Sequence, residues 1–142
     1  MSMLEKSQML ANEFNKLSTW EEKYQKIISM GKSLPEMAPE LQTEVAKVKG
    51  CQSQVWLHSE FKDGKIFLKG DSDALLVRGL VAIVLEVYSG STPQEILSNP
   101  PEFLKAMGFE GNLSPSRANG LFSMIKQIRY FAMAYGSIFE KK

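Results

Sequence analysis

The chain has 142 residues, 44% of them hydrophobic and 23% charged, and we expect a single domain over residues 1–142 with one core. Its 17 basic and 16 acidic residues give a net charge of +1, so the charge balance does not favour nucleic acid as a partner. No segment predicts a signal peptide or a membrane span, and a single cysteine is typical of a reducing, cytoplasmic compartment.

The cysteine and histidine content also limits the chemistry. Cys51 is the one cysteine of the chain and His58 the one histidine. A structural zinc site takes four such ligands, and an iron–sulfur cluster normally takes four cysteines. We therefore expect no metal or cluster site built by this chain alone.

Apolar periodicity predicts two helices at the start of the chain. The first covers about 3–16, and the second begins near Ser18 and ends at Gly31, which we expect to be a left-handed C-cap. Two prolines in the segment 34–41 then indicate a loop.

Strand pattern follows this loop. The segment 44–49 alternates weakly and is a candidate edge strand. The segments 54–62 and 65–70 flank Asp63-Gly64, which is a strong signal for a two-residue hairpin turn. A turn of that length fixes the register of the two strands.

Helical signals fill the rest of the chain. The acidic and hydroxyl residues at 71–73 suit the N-cap of an apolar helix over 74–88, and Gly79 inside that helix indicates a close crossing. A capping box at 92–95 begins a short helix, and Ser114-Pro115 begins a long one that we expect to fray from Gly136. The fold class is therefore α+β: a small antiparallel sheet of about three strands packed against several helices.

Cys51 is the candidate functional residue. It lies between Gly50, which allows backbone movement, and the polar residues Gln52 and Ser53, just before a predicted strand. A thiolate in such a turn is a nucleophile that a partner can reach. Two alternatives stay open: a stand-alone thiol enzyme in which His58 is the base, and a structural module in which Cys51 is inert packing.

Three charged residues are further candidates for the same site. Asp71 and Asp73 are expected as helix caps first, although they could also fix the Cys51 turn or meet a partner. Arg117 lies in the first turn of a predicted helix, where the helix dipole disfavours a cation. That conflict indicates another role for Arg117, either pairing with a carboxylate or contacting a partner.

Several short blocks, taken together and in order, resemble the SufE-like sulfur acceptor proteins over about residues 20–134. The blocks are Trp20-Glu21-Glu22-Lys23-Tyr24, Leu34-Pro35, Lys49-Gly50-Cys51-Gln52-Ser53-Gln54-Val55-Trp56, Gly70-Asp71-Ser72-Asp73-Ala74 with Gly79-Leu80, and Leu113-Ser114-Pro115-Ser116-Arg117 with Gly120-Leu121.

The resemblance implies a fold similar to that of the IscU-like cluster scaffold proteins. It also implies that Cys51 accepts persulfide sulfur from a cysteine desulfurase of the SufS or CsdA type and stimulates that enzyme. The sulfur then passes to an iron–sulfur scaffold or another acceptor. Pyridoxal phosphate belongs to the desulfurase, so the resemblance implies no cofactor bound to this chain. It implies no nucleic acid or membrane partner either.

Overall fold

The computed structural model describes residues 2–50, 53–109 and 111–139. Within that part, helices pack around one antiparallel hairpin, which confirms the α+β class. The helices are α1 (Met3–Asn15), α2 (Trp20–Ser33), α3 (Leu75–Tyr88), α4 (Pro93–Ser98), α5 (Phe103–Ala106) and α6 (Pro115–Phe139), and the strands are β1 (Val55–Lys62) and β2 (Lys65–Ser72). A short 3₁₀ turn, Pro39–Leu41, lies in the loop after α2.

The hairpin turn and its register are confirmed. Asp63 and Gly64 have φ angles of 53° and 77°, the left-handed conformations that a two-residue hairpin turn needs. Phe61 consequently pairs with Ile66, and the ladder runs on to Val55 opposite Ser72. The first residue of β1 is thus held by the last residue of β2.

The prediction of a third strand over 44–49 is wrong. In the described residues that segment makes one isolated bridge, Lys47 with Trp56, flanked by two backbone hydrogen bonds to β1. Just before it the chain is in a turn, where Thr43 Oγ1 accepts a hydrogen bond from the N–H of Ala46 at 3.2 Å. Because this side chain competes for the backbone, the extended pairing cannot continue towards the N-terminus.

The core lies between the inner face of the hairpin and the helices α3 and α6. Alternate residues of β1 and β2 are buried on that face, including Val55, Leu57 and Ile66, as the alternation predicts. An apolar stripe of the last helix, from Leu121 to Ala132, is also buried. The helix itself continues through Phe139, so the expected fraying from Gly136 is wrong for residues 136–139, while residues 140–142 lie outside the described part.

Two glycines set the distance between α2 and α3. A Cβ atom on Gly79 would overlap the backbone of Ile27, which confirms the predicted close crossing. Gly31 is buried inside α2 rather than at its C-cap, so that prediction is wrong. A Cβ on Gly31 would lie 2.7 Å from the carbonyl oxygen of Leu75, so both glycines are required by packing.

One carboxylate joins the first helix to the fourth. The predicted capping box is confirmed, since Thr92 and Glu95 each accept a hydrogen bond from the backbone N–H of the other at 3.1 Å. The second carboxylate oxygen of Glu95 accepts a hydrogen bond from the N–H of Met3, at 3.1 Å. The hydrogen bond from Met3 contributes most to holding the pKa of Glu95 below its ordinary value, and the bonds with Thr92 lower it further.

Replacing Gly79 by alanine is expected to destabilise the protein by about 1–3 kcal/mol, as overpacking does, although alanine is the better helix former by about 1 kcal/mol. Urea unfolding measures the difference. Ser29→Ala is the control, because Ser29 is exposed on α2 and its loss should change the free energy of unfolding by under about 0.5 kcal/mol. A Gly79→Ala protein as stable as the wild type would contradict the close crossing.

Glu95→Gln and Glu86→Gln should change the pH dependence of stability in opposite directions. The lowered pKa of Glu95 contributes stability above the unfolded pKa of about 4.3, which is lost as the pH falls through the folded value. Glu95→Gln should thus lower stability at pH 7, by roughly 0.5–1 kcal/mol, and by less below pH 4.

Burial and the nearby Glu13 raise the pKa of Glu86 above its unfolded value of about 4.3. The fold therefore loses stability as the pH rises from about 4.3 through the folded pKa and Glu86 becomes charged. Glu86→Gln should therefore stabilise the protein at pH 7 and have little effect at pH 3. Melting temperatures at several pH values test both variants, and curves of the same shape for the two would rule out the assigned shifts.

Candidate functional site

The backbone is paired on either side of the segment 49–54, which contains Cys51. Cys51 and Gln52 themselves lie outside the described residues, and so does the prediction that they form the site. On either side of them, the N–H of Val48 donates to the carbonyl of Val55 at 2.8 Å. Six residues, 49–54, therefore connect two paired positions of the backbone.

Gly50 holds the first side of this turn against α6. Its φ angle is +90°, in the left-handed region that side chains other than glycine rarely adopt. A Cβ atom on Gly50 would also lie 2.8 Å from Oγ of Ser123 on α6. Gly50, which was predicted to allow backbone movement, is thus also favoured by its positive φ angle and by its close approach to Ser123.

Asp73 holds the other side of the turn. Its carboxylate oxygen Oδ1 accepts a hydrogen bond from the N–H of Gln54 at 3.0 Å, and its own N–H donates to the carbonyl of Gln54 at 3.3 Å. The prediction that Asp71 and Asp73 cap α3 is wrong. The N-cap is Ala74, whose side chain has no hydrogen-bond acceptor, and the two carboxylates accept hydrogen bonds outside α3 instead.

Asp71 is the centre of a buried polar cluster just behind Asp73. Its two oxygens accept hydrogen bonds from the N–H groups of Met37 at 3.1 Å and of Ser72 at 2.7 Å. Arg78 Nε lies 3.0 Å from Asp71 Oδ1, but its N–H does not point at that oxygen, so the contact is an ion pair rather than a formed hydrogen bond. Arg78 Nη2 donates to the carbonyl of Leu34 at 2.6 Å.

Sequence reasoning missed the role of Arg78. The available signal was that Arg78 is the one cation of α3, a helix in which Glu86 is the only other charged residue, and a charge in such a helix needs a partner. The cluster fixes the junction of β2 and α3, and with it the position of Asp73.

A cavity of about 350 Å³ lies beside the turn, between the start of α3 and the start of α6. The structure brings two predicted site residues to it, since Ser53 and Arg117 both line the cavity. Arg117 is exposed, and no ion pair with a carboxylate is found for it among the described residues. The remaining lining combines apolar and small polar side chains, among them Val77, Ser114 and Met124.

His58 lies on the outer face of β1, opposite Lys69. Its Nε2 atom is 3.3 Å from Oε1 of Glu60, and its side chain is partly exposed. Within the described ranges, no group of three potential metal ligands occurs among His, Cys, Asp and Glu residues. No described helix is both long enough and apolar enough to cross a membrane.

Fold and site together define a class of small α+β proteins whose one cysteine lies, in the sequence, between two paired backbone positions, next to a segment that lines a partly polar cavity. A family model described as "SufE: Fe-S metabolism associated domain" matches residues 8–132, so the chain belongs to the SufE family. Membership associates the chain with iron–sulfur metabolism and confirms the resemblance found in the sequence.

Individual relatives agree with this assignment. The chain is 45% identical over 125 residues to an uncharacterized SufE-like protein of Rhizobium etli, which covers 84% of each chain. It is 37% identical over 126 residues to one of Synechocystis, which covers 89% of this chain and 79% of that protein. The solution structure of a hypothetical protein from Thermus thermophilus matches with a TM-score of 0.75, over 91% of this chain and 94% of that one. Its 23% identity supports the fold alone.

Asp73→Ala is expected to release the Cys51 turn from the β2–α3 junction. The N–H of Gln54 would lose its acceptor, and its amide hydrogen exchange, followed by NMR, should become about tenfold faster. Labelling of Cys51 by a thiol reagent should become severalfold faster for the same reason. Asp73→Asn keeps an oxygen acceptor and should resemble the wild type in both measurements. Equal exchange rates in the wild type and Asp73→Ala would show that this bond does not hold the turn.

Proposed function

We propose that this protein is a sulfur acceptor, in which Cys51 takes persulfide sulfur from a pyridoxal-phosphate cysteine desulfurase and passes it on for iron–sulfur cluster assembly. Membership of the SufE family supports the general association with iron–sulfur metabolism. The observation that supports the specific proposal is the geometry on either side of Cys51: Gly50 lies close against α6, and the N–H of Gln54 is held by Asp73. A short segment held on both sides can carry one thiol to a partner while the rest of the fold stays unchanged.

The transfer step is a thiol exchange. The Cys51 thiolate attacks the outer sulfur of the persulfide on the desulfurase, and a new S–S bond forms on Cys51. The S–S bond of the donor persulfide breaks, and the donor cysteine leaves as a thiolate. The persulfide is therefore transferred with no net oxidation, and no cofactor of this chain is needed.

A single cysteine suits this step. With no second cysteine in the chain, no internal thiol can attack the Cys51 persulfide, form a disulfide and release the sulfur. The cavity beside the turn supports the proposal, because Ser53 and the exposed Arg117 offer polar groups to a partner that reaches Cys51. We include Ser53 and Arg117 as partner-contacting residues on this basis, and Gln52 because it is next to Cys51 in the sequence.

Intact-protein mass spectrometry tests the proposal. After incubation with a SufS-type desulfurase and free cysteine, the protein should gain one or more sulfur atoms that a reductant removes. Cys51→Ser should gain none, because the accepting sulfur atom is absent. Failure of the wild-type protein to gain sulfur, while the same desulfurase charges a known acceptor, would refute the proposed role.

His58→Ala separates this proposal from a stand-alone thiol enzyme. A sulfur acceptor should take up sulfur at an unchanged rate in this variant, because a thiol can lose its proton to solvent and the exchange needs no base on β1. An enzyme that uses His58 as its base should lose about 10²–10⁴-fold in rate. Turnover of a small substrate by the isolated protein, together with such a loss, would favour the enzyme.

A further inference from the structure

A second cavity, of about 380 Å³, lies between α5, the segment that follows it and α6. Apolar side chains form most of its walls, and Glu102 and Lys105 are the charged residues among the described lining. Phe122 stands at its side with 55% of its surface exposed. The apolar wall consists mainly of Leu104, Phe109, Leu113, Ala118, Leu121 and Phe122.

The apolar surface continues along α6 beyond this cavity. Phe122, Lys126, Tyr130 and Met133 fall within an arc of roughly 80° on the helix, and we call them the α6 stripe. Tyr130 and Met133 are 50% and 46% exposed, and Lys126 Nζ lies 5.8 Å from the centre of the Tyr130 ring. The stripe is about 16 Å long.

An exposed apolar row that continues into an apolar cavity is typical of a surface that another molecule covers. The row is too long for a small ligand in the cavity, so a protein partner fits it better. It offers only a few hundred Å² against the roughly 800 Å² per partner of a stable interface, so it must belong to a larger contact.

The position of Leu121 indicates which larger contact this is. Leu121 is 2% exposed and lines both this cavity and the one beside the Cys51 turn. A protein that covers the turn therefore reaches the second cavity across one side chain. Among the described residues, the exposed cations Lys105, Lys126 and, at the first cavity, Arg117 face one exposed acid of the lining, Glu102. Acidic residues in the partner would complement these cations.

We propose that the cysteine desulfurase inserts an apolar side chain, flanked by acidic residues, into the second cavity and packs along the α6 stripe while it reaches Cys51. This inference rests on the proposed function, because it takes the sulfur donor as the partner. The second cavity then binds the sulfur donor, and Cys51 accepts the sulfur.

Ala118→Leu fills the cavity and is matched by Ala134→Leu, which adds the same group at an exposed position elsewhere on α6. The measurement is the concentration of this protein that half-saturates sulfur uptake from a SufS-type desulfurase. Ala118→Leu should raise it at least tenfold with uptake at saturation unchanged, and Ala134→Leu should not change it. Phe122→Ala, at an exposed site, should raise it severalfold and provides the test if Ala118→Leu does not fold.

Half-saturating concentrations equal to the wild type in both Ala118→Leu and Phe122→Ala would overturn the docking proposal. Sedimentation of this protein without the desulfurase gives a second test. If Ala118→Leu or Phe122→Ala changed its oligomeric state, the surface would be assigned to a second copy of this chain, and the docking proposal would be overturned. Failure of the proposed function is distinguishable, because the wild type would then gain no sulfur. In that case, calorimetric binding of Cys51→Ser to the desulfurase decides: weakening by Ala118→Leu supports docking, and no weakening overturns it.

Discussion

The buried ion pair between Asp71 and Arg78 is the constraint on which the position of the site depends. It joins the end of β2 to the first turn of α3, and each partner also binds the loop after α2. Removing one member of such a pair costs about 3–5 kcal/mol, because the other charge is left buried and unpaired. Asp73 lies two residues after Asp71, so the ion pair also sets the position of the Asp73 carboxylate that binds Gln54.

Several features that the sequence predicted correctly are decided by near neighbours. Asp63-Gly64 needs only its own backbone conformation to turn, and Thr92 and Glu95 cap each other within one helical turn. Gly79 indicated a close crossing, but the sequence did not show which residue it crosses. Gly31 has the local signature of a C-cap, yet it lies inside α2 at this crossing, so a distant contact decides its role.

The same distinction applies to the candidate site. The cysteine was found because it is unique in the chain and because the surrounding blocks resemble a family. The common cavity of Ser53 and Arg117 could not be predicted, because it depends on how α6 packs against the start of β1. Asp73 has a strong local preference for capping, and its longer-range bond to Gln54 overrides that preference.

The short hairpin at Lys47 and Trp56 also has a kinetic and energetic consequence. An opening that keeps the Asp73–Gln54 bonds breaks only the two flanking hydrogen bonds, at about 0.5–1.5 kcal/mol each, while β1 and β2 remain joined. An opening cost of about 1–3 kcal/mol corresponds to an open population between roughly 15% and 0.5%. A partner that selects the open form would lose only that factor in apparent affinity. Because the segment 44–49 pairs with β1 through one bridge rather than a full strand, its opening costs little free energy and leaves the β1–β2 hairpin intact.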